Sequence, residues 1–434
     1  MEISSSFSRQ LKTKYVIALN VIMGIYTLKV LWDLTARFRN GFSLNASFFF
    51  GDFLINYQGG FVRRGLLGEI IYLCATQLGV SPKLFVGFFC VVCIAIVVCF
   101  FIKQFNQNKI CWWLLPLNYC LANMDVIRKD YFFVVSLILI MYCYKKDWNT
   151  IIKIILINII AIITILIHEA FFFYCILLLC WIIIRDKKLS DSILARLLMC
   201  SPMVLAMFVV SIFHGDTNTA ISIAESWAGI FNIDPYLLIK PDFEETKFSL
   251  FGAIGALSWS TKDAICFHIE VNFLIKMLGI PGFIIRPITF LIVFHLLLNY
   301  MSTFSRLSVS RINAFCRILI FQFFSLLPLF TILSCDTYRI YFYWTTSTFV
   351  FFFLLEPNIE LQILPQWYKN TTKRIQDFFT ITLIQPVWLT IVLLLFFCVP
   401  YFNYDLAYMW DNNVIMQVYH FFNDVLKNVM MQLL

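Results

Sequence analysis

Three apolar stretches in this chain are too long to be single membrane spans, and each is broken near its middle by charged residues. Ile110–Tyr144 is interrupted by Arg128, Lys129 and Asp130; Ile151–Ile184 by His168 and Glu169; Ile318–Leu355 by Asp336 and Arg339. One helix over Ile151–Ile184 would extend roughly 50 Å, well beyond a ~30 Å hydrocarbon core. Each stretch therefore reads as a tight hairpin of two short spans with its charges at the apex. The basic flanks agree. Lys145, Lys146 and Lys153, then Arg185, Lys187, Lys188 and Arg196, then Arg306, Arg311 and Arg317, then Lys369, Lys373 and Arg374 all fall on one side. Lys and Arg in short loops prefer the cytoplasm, so that side is the inside. A single tilted helix in any of the three places would send the following basic loops outside.

The rest of the chain follows the same logic. Arg9, Lys12 and Lys14 start it inside, before a first span at about Tyr15–Trp32. Pro82–Ile102 returns to Lys103 and Lys109, and further spans lie near Leu197–Phe213, Gly282–Tyr300 and Phe379–Phe402. The expectation is an all-α, polytopic helical membrane protein of about eleven spans, N-terminus inside and C-terminus outside. Residues 1–434 form one membrane domain. It has a first outer loop at 33–81 with an interfacial helix from Leu66, a large outer loop at 214–281 between spans seven and eight, and an amphipathic outer tail at 405–434. Composition agrees: the chain is 61% hydrophobic and 13% charged, where soluble domains run about 45–50% and 25%. The net charge of +8 does not imply nucleic acid, because the cations sit in short loops. The 14 cysteines lie mostly in apolar segments. Cys90 and Cys93 flank Val91 and Val92 at lipid depth and read as packing. Only Cys74, Cys266 and Cys335 fall near the outer face, so no disulfide framework is expected. The first apolar run is a full span long and no A-x-A site follows it, so no cleavable signal peptide is expected.

Several charges break the positive-inside trend. Arg37, Arg39, Arg63 and Arg64 all fall in the first outer loop, and the last two lie among Gly59, Gly60, Gly65 and Gly68. Arginine offers a planar fork of donors for phosphate or carboxylate, and glycine lets backbone approach closely. The start of a helix at Leu66 would add a favourable dipole for a bound anion. The plainer reading is that these arginines reach lipid headgroups. The three apices share this face. Ionisable groups near membrane depth are costly and default to functional candidates. Asp52, Glu69, Asp130, Glu169 and Asp336 are candidate bases or substrate ligands; Arg63, Arg64, Arg128, Lys129 and Arg339 are candidate anion ligands. For each alone, an ion pair steadying a turn is the plainer reading, and Asp336 with Arg339 has the i, i+3 spacing for it. His168-Glu169 is more pointed, because nothing local satisfies either group. It is expected to act in the chemistry, facing the Arg63–Arg64 loop. No metal motif is present: there is no H-E-x-x-H, and His214, His268, His295 and His420 have no ligand spacing. No cofactor is expected. In the large loop, Trp227, Tyr236, Trp259 and Phe267 lie among Asp216, Glu225, Asp234, Asp242, Glu244, Glu245 and Asp263. Such a mixture suits sugar rings, or equally an interfacial aromatic belt.

The run Gly59-Gly60-Phe61-Val62-Arg63-Arg64-Gly65-Leu66-Leu67-Gly68-Glu69, the His168-Glu169 pair before an aromatic run, and Asp336-x-x-Arg339 resemble bacterial surface-polysaccharide polymerases of the O-antigen polymerase (Wzy) type. These are relatives of the GT-C membrane glycosyltransferases. The resemblance implies an enzyme of the bacterial inner membrane, alongside other polysaccharide-assembly proteins. It would transfer a growing glycan from undecaprenyl pyrophosphate onto the next lipid-linked repeat unit. The lipid tail would lie in the bilayer and the pyrophosphate against the arginines, with Asp52, or His168 backed by Glu169, taking the proton of the attacking hydroxyl. The large loop comes earlier than that family's pattern leads one to expect. Three alternatives stay open: a GT-C transferase using a polyprenyl-phosphate sugar, a lipid-linked glycan flippase or transporter, and an acyltransferase acting through His168. Charges at one face and the lack of repeated halves count against transport.

Overall fold

The computed structural model describes residues 48–110, 127–231, 252–355 (except 275, 278, 279, 306 and 335) and 364–382, with isolated positions at 21, 25, 416 and 418–423. The expected first span, the first arm of the first hairpin, and nearly all of the last span and the tail lie outside the described residues. Within them the chain is helical. The exceptions are a two-residue ladder, Lys276–Met277 against Ile280–Pro281, and an isolated bridge between Ile110 and Ser305.

The elements in chain order are α1 (Phe48–Phe53), α2 (Gly65–Leu78), α3 (Pro82–Gln107), α4 (Asp130–Lys145), α5 (Thr150–Ile167), α6 (Phe172–Arg185), α7 (Ile193–Ile212), α8 (Thr217–Phe231), α9 (Thr261–Ile269), α10 (Gly282–Phe304), α11 (Val309–Leu333), α12 (Thr337–Leu354) and α13 (Gln366–Thr382). Among the described residues, α3, α5, α7 and α11 are long and apolar enough to cross a membrane. Their free faces are apolar: Leu84, Phe88, Ile151, Leu205, Phe208 and Phe324 are exposed among the described residues. Contiguous exposed apolar surface on this scale belongs in lipid rather than water. The molecule is therefore a helical membrane protein. The expected loop at Lys369–Arg374 is instead part of a continuous polar helix, α13.

Local chemistry starts these helices where they start. Pro82 stands at the first turn of α3, where its missing N–H costs nothing. Asn149 caps α5 by accepting from Ile151 N–H at 2.8 Å, and Ser192 caps α7 by accepting from Ala195 N–H.

Two of the charge-broken stretches fold back on themselves. In the second, α5 ends at Ile167. Asn158 on α5 donates to Met199 O, and Cys180 O on α6 lies 3.9 Å from Cys200 Sγ. Residues before and after His168-Glu169 thus reach one level of α7, so the chain reverses between them. In the third, Trp344 donates to Leu319 O at 2.7 Å, Arg311 reaches Phe352 O, and Phe330 packs on Tyr341. Helices α11 and α12 therefore run antiparallel, with Asp336 at their turn.

The core between these hairpins is aromatic. Phe290, Phe323, Phe330, Tyr341 and Trp344 interlock edge to face. Phe133 joins one end of this core to the site by touching His168, Phe171, Tyr174 and Tyr343. The polar run Thr345–Thr348 is buried but satisfied, since each hydroxyl bonds a carbonyl one turn back.

Candidate functional site

Four segments far apart in sequence bring their charges together where the helices end. The first is α1 with its following loop. Trp227 Nε1 donates to Leu54 O at 2.7 Å, Asn56 donates to Ser226, and Arg63 N–H donates to Phe213 O at 2.8 Å. The loop is thus held by α7 and α8. Gly68 is required here, because a methyl group would overlap the Ile55 carbonyl oxygen, and one on Gly65 would meet the Tyr57 ring. Gly65 and Gly68 thus serve loop packing, whereas Gly60, with φ 103°, has open space where a side chain would stand. Arg64 follows with φ 65°, in the left-handed region that a branched side chain enters at a cost of about 1–3 kcal/mol. What its side chain binds offsets that strain.

Arg64 Nε lies 2.9 and 3.0 Å from the two carboxylate oxygens of Glu169, and Nη2 also contacts Oε1. Its Nη1 lies 3.4 Å from Asp52. The Arg64 fork is therefore filled by protein and is not open to phosphate, which corrects the sequence expectation. Arg63 is different. Its guanidinium lies 3.9 Å from Glu169, and its Nε is buried with no hydrogen-bond partner among the described residues. Burial lowers its pKa, with Glu169 opposing.

The second segment is Arg128-Lys129-Asp130 at the start of α4. Lys129 Nζ is buried, 3.4 Å from Asp52 and within reach of the Arg64 and Ile167 carbonyls. Burial pushes the Lys129 pKa down, and Asp52 pushes it back up. Burial alone would raise Asp52, but Lys129 and Arg64 hold it below the usual carboxylate range. Arg128 lies 3.6 Å over the Phe49 ring and 3.8 Å from Asp130. Asp130, fully buried in the first turn of α4, accepts from Arg339 Nε at 2.9 and 3.0 Å and from the Tyr343 hydroxyl.

The third segment is His168-Glu169, just past the end of α5. Burial raises Glu169, but Arg64 outweighs it and holds this carboxylate well below its ordinary range. His168 is buried. Ala170 N–H donates to Nδ1 at 3.2 Å, and Arg339, which can only donate, meets Nε2 at 2.8 Å. Donors at both ring nitrogens oppose a second proton. Burial and the nearby Arg64 and Arg339 push His168 down to about 3, with Glu169 opposing. The ring is neutral, and its one acceptor nitrogen is occupied by a donor. The fourth segment is Asp336 and Arg339, 3.7 Å apart in the i, i+3 pairing anticipated from spacing.

Glu69 stands apart. Its oxygens accept from Tyr57 N–H and Gln58 Nε2, both at 2.9 Å, so it holds the loop shape rather than a substrate. Trp227 is buried against Leu54 and Tyr72, neither a sugar platform nor an interfacial belt. Trp259 and Phe267 pack edge to face at 5.4 Å. Tyr236, Asp234, Asp242, Glu244 and Glu245 lie outside the described residues. Sequence reasoning missed Tyr343, although it lies one turn beyond Arg339. It also missed Asn272, which donates to Thr331 O and Ser334 O and ties the 214–281 segment to the Asp336 turn. Three π-helical turns, Phe172–Ile176, Glu270–Leu274 and Leu329–Leu333, lie next to the site. Such turns are rare and frequent at functional positions. Among the described residues no cluster of His, Cys, Asp and Glu could hold a metal.

Fold and site together define a helical membrane protein with a polar network at the ends of its apolar helices. No family model matches the chain, and no characterised protein or solved structure is similar to it.

Proposed function

We propose that this chain is a glycosyltransferase of the polysaccharide-polymerase kind, acting in a bacterial inner membrane on undecaprenyl-pyrophosphate-linked repeat units. The single observation that carries the reading is the convergence of Arg63, Arg64, Arg128, Lys129 and Arg339 with Asp52, Asp130, Glu169 and Asp336, from four segments, at one level of the helices. Five cations against four carboxylates leave room for an anion. Holding this much charge near a membrane is expensive, and a fold needs far less of it for stability. The reading keeps the topology of about eleven spans with the site at the outer face.

In this account Arg63, the least engaged of the cations, meets the pyrophosphate. Arg64, Glu169 and His168 form the rigid wall that positions it. Leaving as a pyrophosphate next to Arg63 requires little acid help. A single-sugar GT-C transferase remains the second reading, favoured by Asp52 in the first outer loop beside two cations. Deletion of the gene separates these. Loss of long surface glycan with one repeat unit retained supports polymerisation. Loss of one sugar from every repeat points to the single-sugar transferase, and unchanged glycan contradicts both.

A further inference from the structure

Most candidate bases in the cluster are engaged by close partners, Asp336 more loosely, at 3.7 Å from Arg339. The acceptor nitrogen of neutral His168 faces a donor, and Asp52 and Glu169 are locked to cations. One titratable group near the cluster is not so bound. His268 lies on α9, and α9 continues through the π-turn Glu270–Leu274, which Asn272 clasps to the Asp336 turn. Its Nδ1 is out of contact with solvent and has no hydrogen-bond partner among the described residues. A buried ring nitrogen without a partner is rare in a finished fold. Asp336, Arg64 and Arg63 act on it electrostatically.

We propose that His268 is the catalytic base of the transfer, an inference that rests on the glycosyltransferase reading above. Nδ1 of the neutral ring, protonated on Nε2, takes the proton of the acceptor sugar hydroxyl. That oxygen bonds to the anomeric carbon of the growing chain. The bond from this carbon to the pyrophosphate oxygen breaks, and its electron pair leaves with undecaprenyl pyrophosphate beside Arg63. His268 then gives its proton to water. Asp336 steadies the imidazolium formed in between. The large outer loop thereby acquires a chemical role: it carries the base to the anion-binding apices.

The test uses the full-length protein in proteoliposomes, with the lipid-linked single repeat extracted from the deletion strain. His268→Gln is expected to slow chain growth about 100-fold or more. Wild-type activity should fall on the acid side with a midpoint below about 6.5, as His268 takes a proton. Burial lowers this pKa, Asp336 opposes it, and the charges of Arg64 and Arg63 lower it further; Lys262, Asp263 and Glu270 are the other charges near it in sequence. A His268→Gln variant within threefold of wild type overturns the proposal, as does a wild-type rate flat from about pH 5 to 8. If the variant fails to insert, carbethoxylation of the wild-type chain decides. Inactivation in step with His268 modification, blocked by substrate, supports the base; modified His268 with activity retained rejects it. No chain growth by wild type at any pH instead defeats the transferase reading, a distinguishable failure.

Discussion

Arg64 and Glu169, far apart in the chain, form a two-pronged ion pair in which Nε meets both carboxylate oxygens at 2.9 and 3.0 Å. This contact ties the first outer loop to the second hairpin apex and fixes Arg64 in its left-handed backbone conformation. Its energetic worth follows from what removal leaves behind. Glu169→Gln leaves Arg64 with Asp52 at 3.4 Å as its remaining anionic partner. Each single variant, Arg64→Gln and Glu169→Gln, should lower the melting temperature in detergent. The double variant should lose less than the sum, with a coupling of about 0.5–3 kcal/mol. Additive losses would mean the pair carries no coupling.

Arg63 should behave unlike its neighbour. Among the described residues its guanidinium is held by the 3.9 Å contact to Glu169, so Arg63→Ala should melt close to wild type while abolishing long-chain glycan. Arg63→Lys should rescue poorly, because a point charge does not replace a bidentate fork. Arg64→Ala should lose both stability and glycan. Full chain length from Arg63→Ala at matched expression would remove Arg63 from the binding site.

His168 predicts a pH dependence of stability whose sign is fixed. Its folded pKa is pushed down to about 3, while the unfolded side chain titrates near 6.5. Above about 6.5 the ring is neutral in both states. As pH falls from there toward 3, the unfolded chain takes a proton that the folded one refuses, and stability drops. Below about 4, Asp52 and Glu169, both held low, add loss in the same direction. Melting curves between about pH 7 and 4.5 should therefore fall steeply for wild type and less for His168→Asn. Equal slopes would show that His168 is not buried as a neutral ring.

Much of this was legible in the sequence because charge in an apolar run is a loud signal. Lipid tolerates ionisable groups only where the fold supplies partners, so His168, Glu169 and Arg339 announced two chain reversals, and with Asp130 the meeting of their charges. The start of α3 at Pro82 and of α10 at Gly282 followed from hydropathy and turn chemistry. What could not be read was pairing. Sequence gives no sign that Arg64 spends its fork on Glu169, or that Glu69 turns back to Tyr57 N–H, because those contacts depend on loop conformation. His268 was invisible for a related reason. It lies in a mixed polar-aromatic segment where one histidine has no periodicity to break, and only the clasp from Asn272 to the Asp336 turn brings it near the cations.

That clasp gives a further expectation. Asn272 is fully buried and donates at 2.7 and 2.8 Å. Asn272→Leu leaves two carbonyls without a donor, a loss of about 1–3 kcal/mol. Hydrogen exchange at Leu329–Leu333 should quicken, and chain growth should slow even though Asn272 touches no charged group of the site. Unchanged exchange would show that the outer loop is held by other contacts.

The central claim is that the charged apices work on a lipid-linked pyrophosphate donor. Its most direct test is reconstitution of the purified full-length chain in liposomes with undecaprenyl-pyrophosphate-linked repeat units, following glycan length and released undecaprenyl pyrophosphate together. The account predicts a ladder of lengthening glycan with one undecaprenyl pyrophosphate freed per bond formed, and neither product from Arg63→Ala. A wild-type protein that moves the lipid-linked unit across the bilayer without lengthening it, or that leaves it unchanged, would contradict the account.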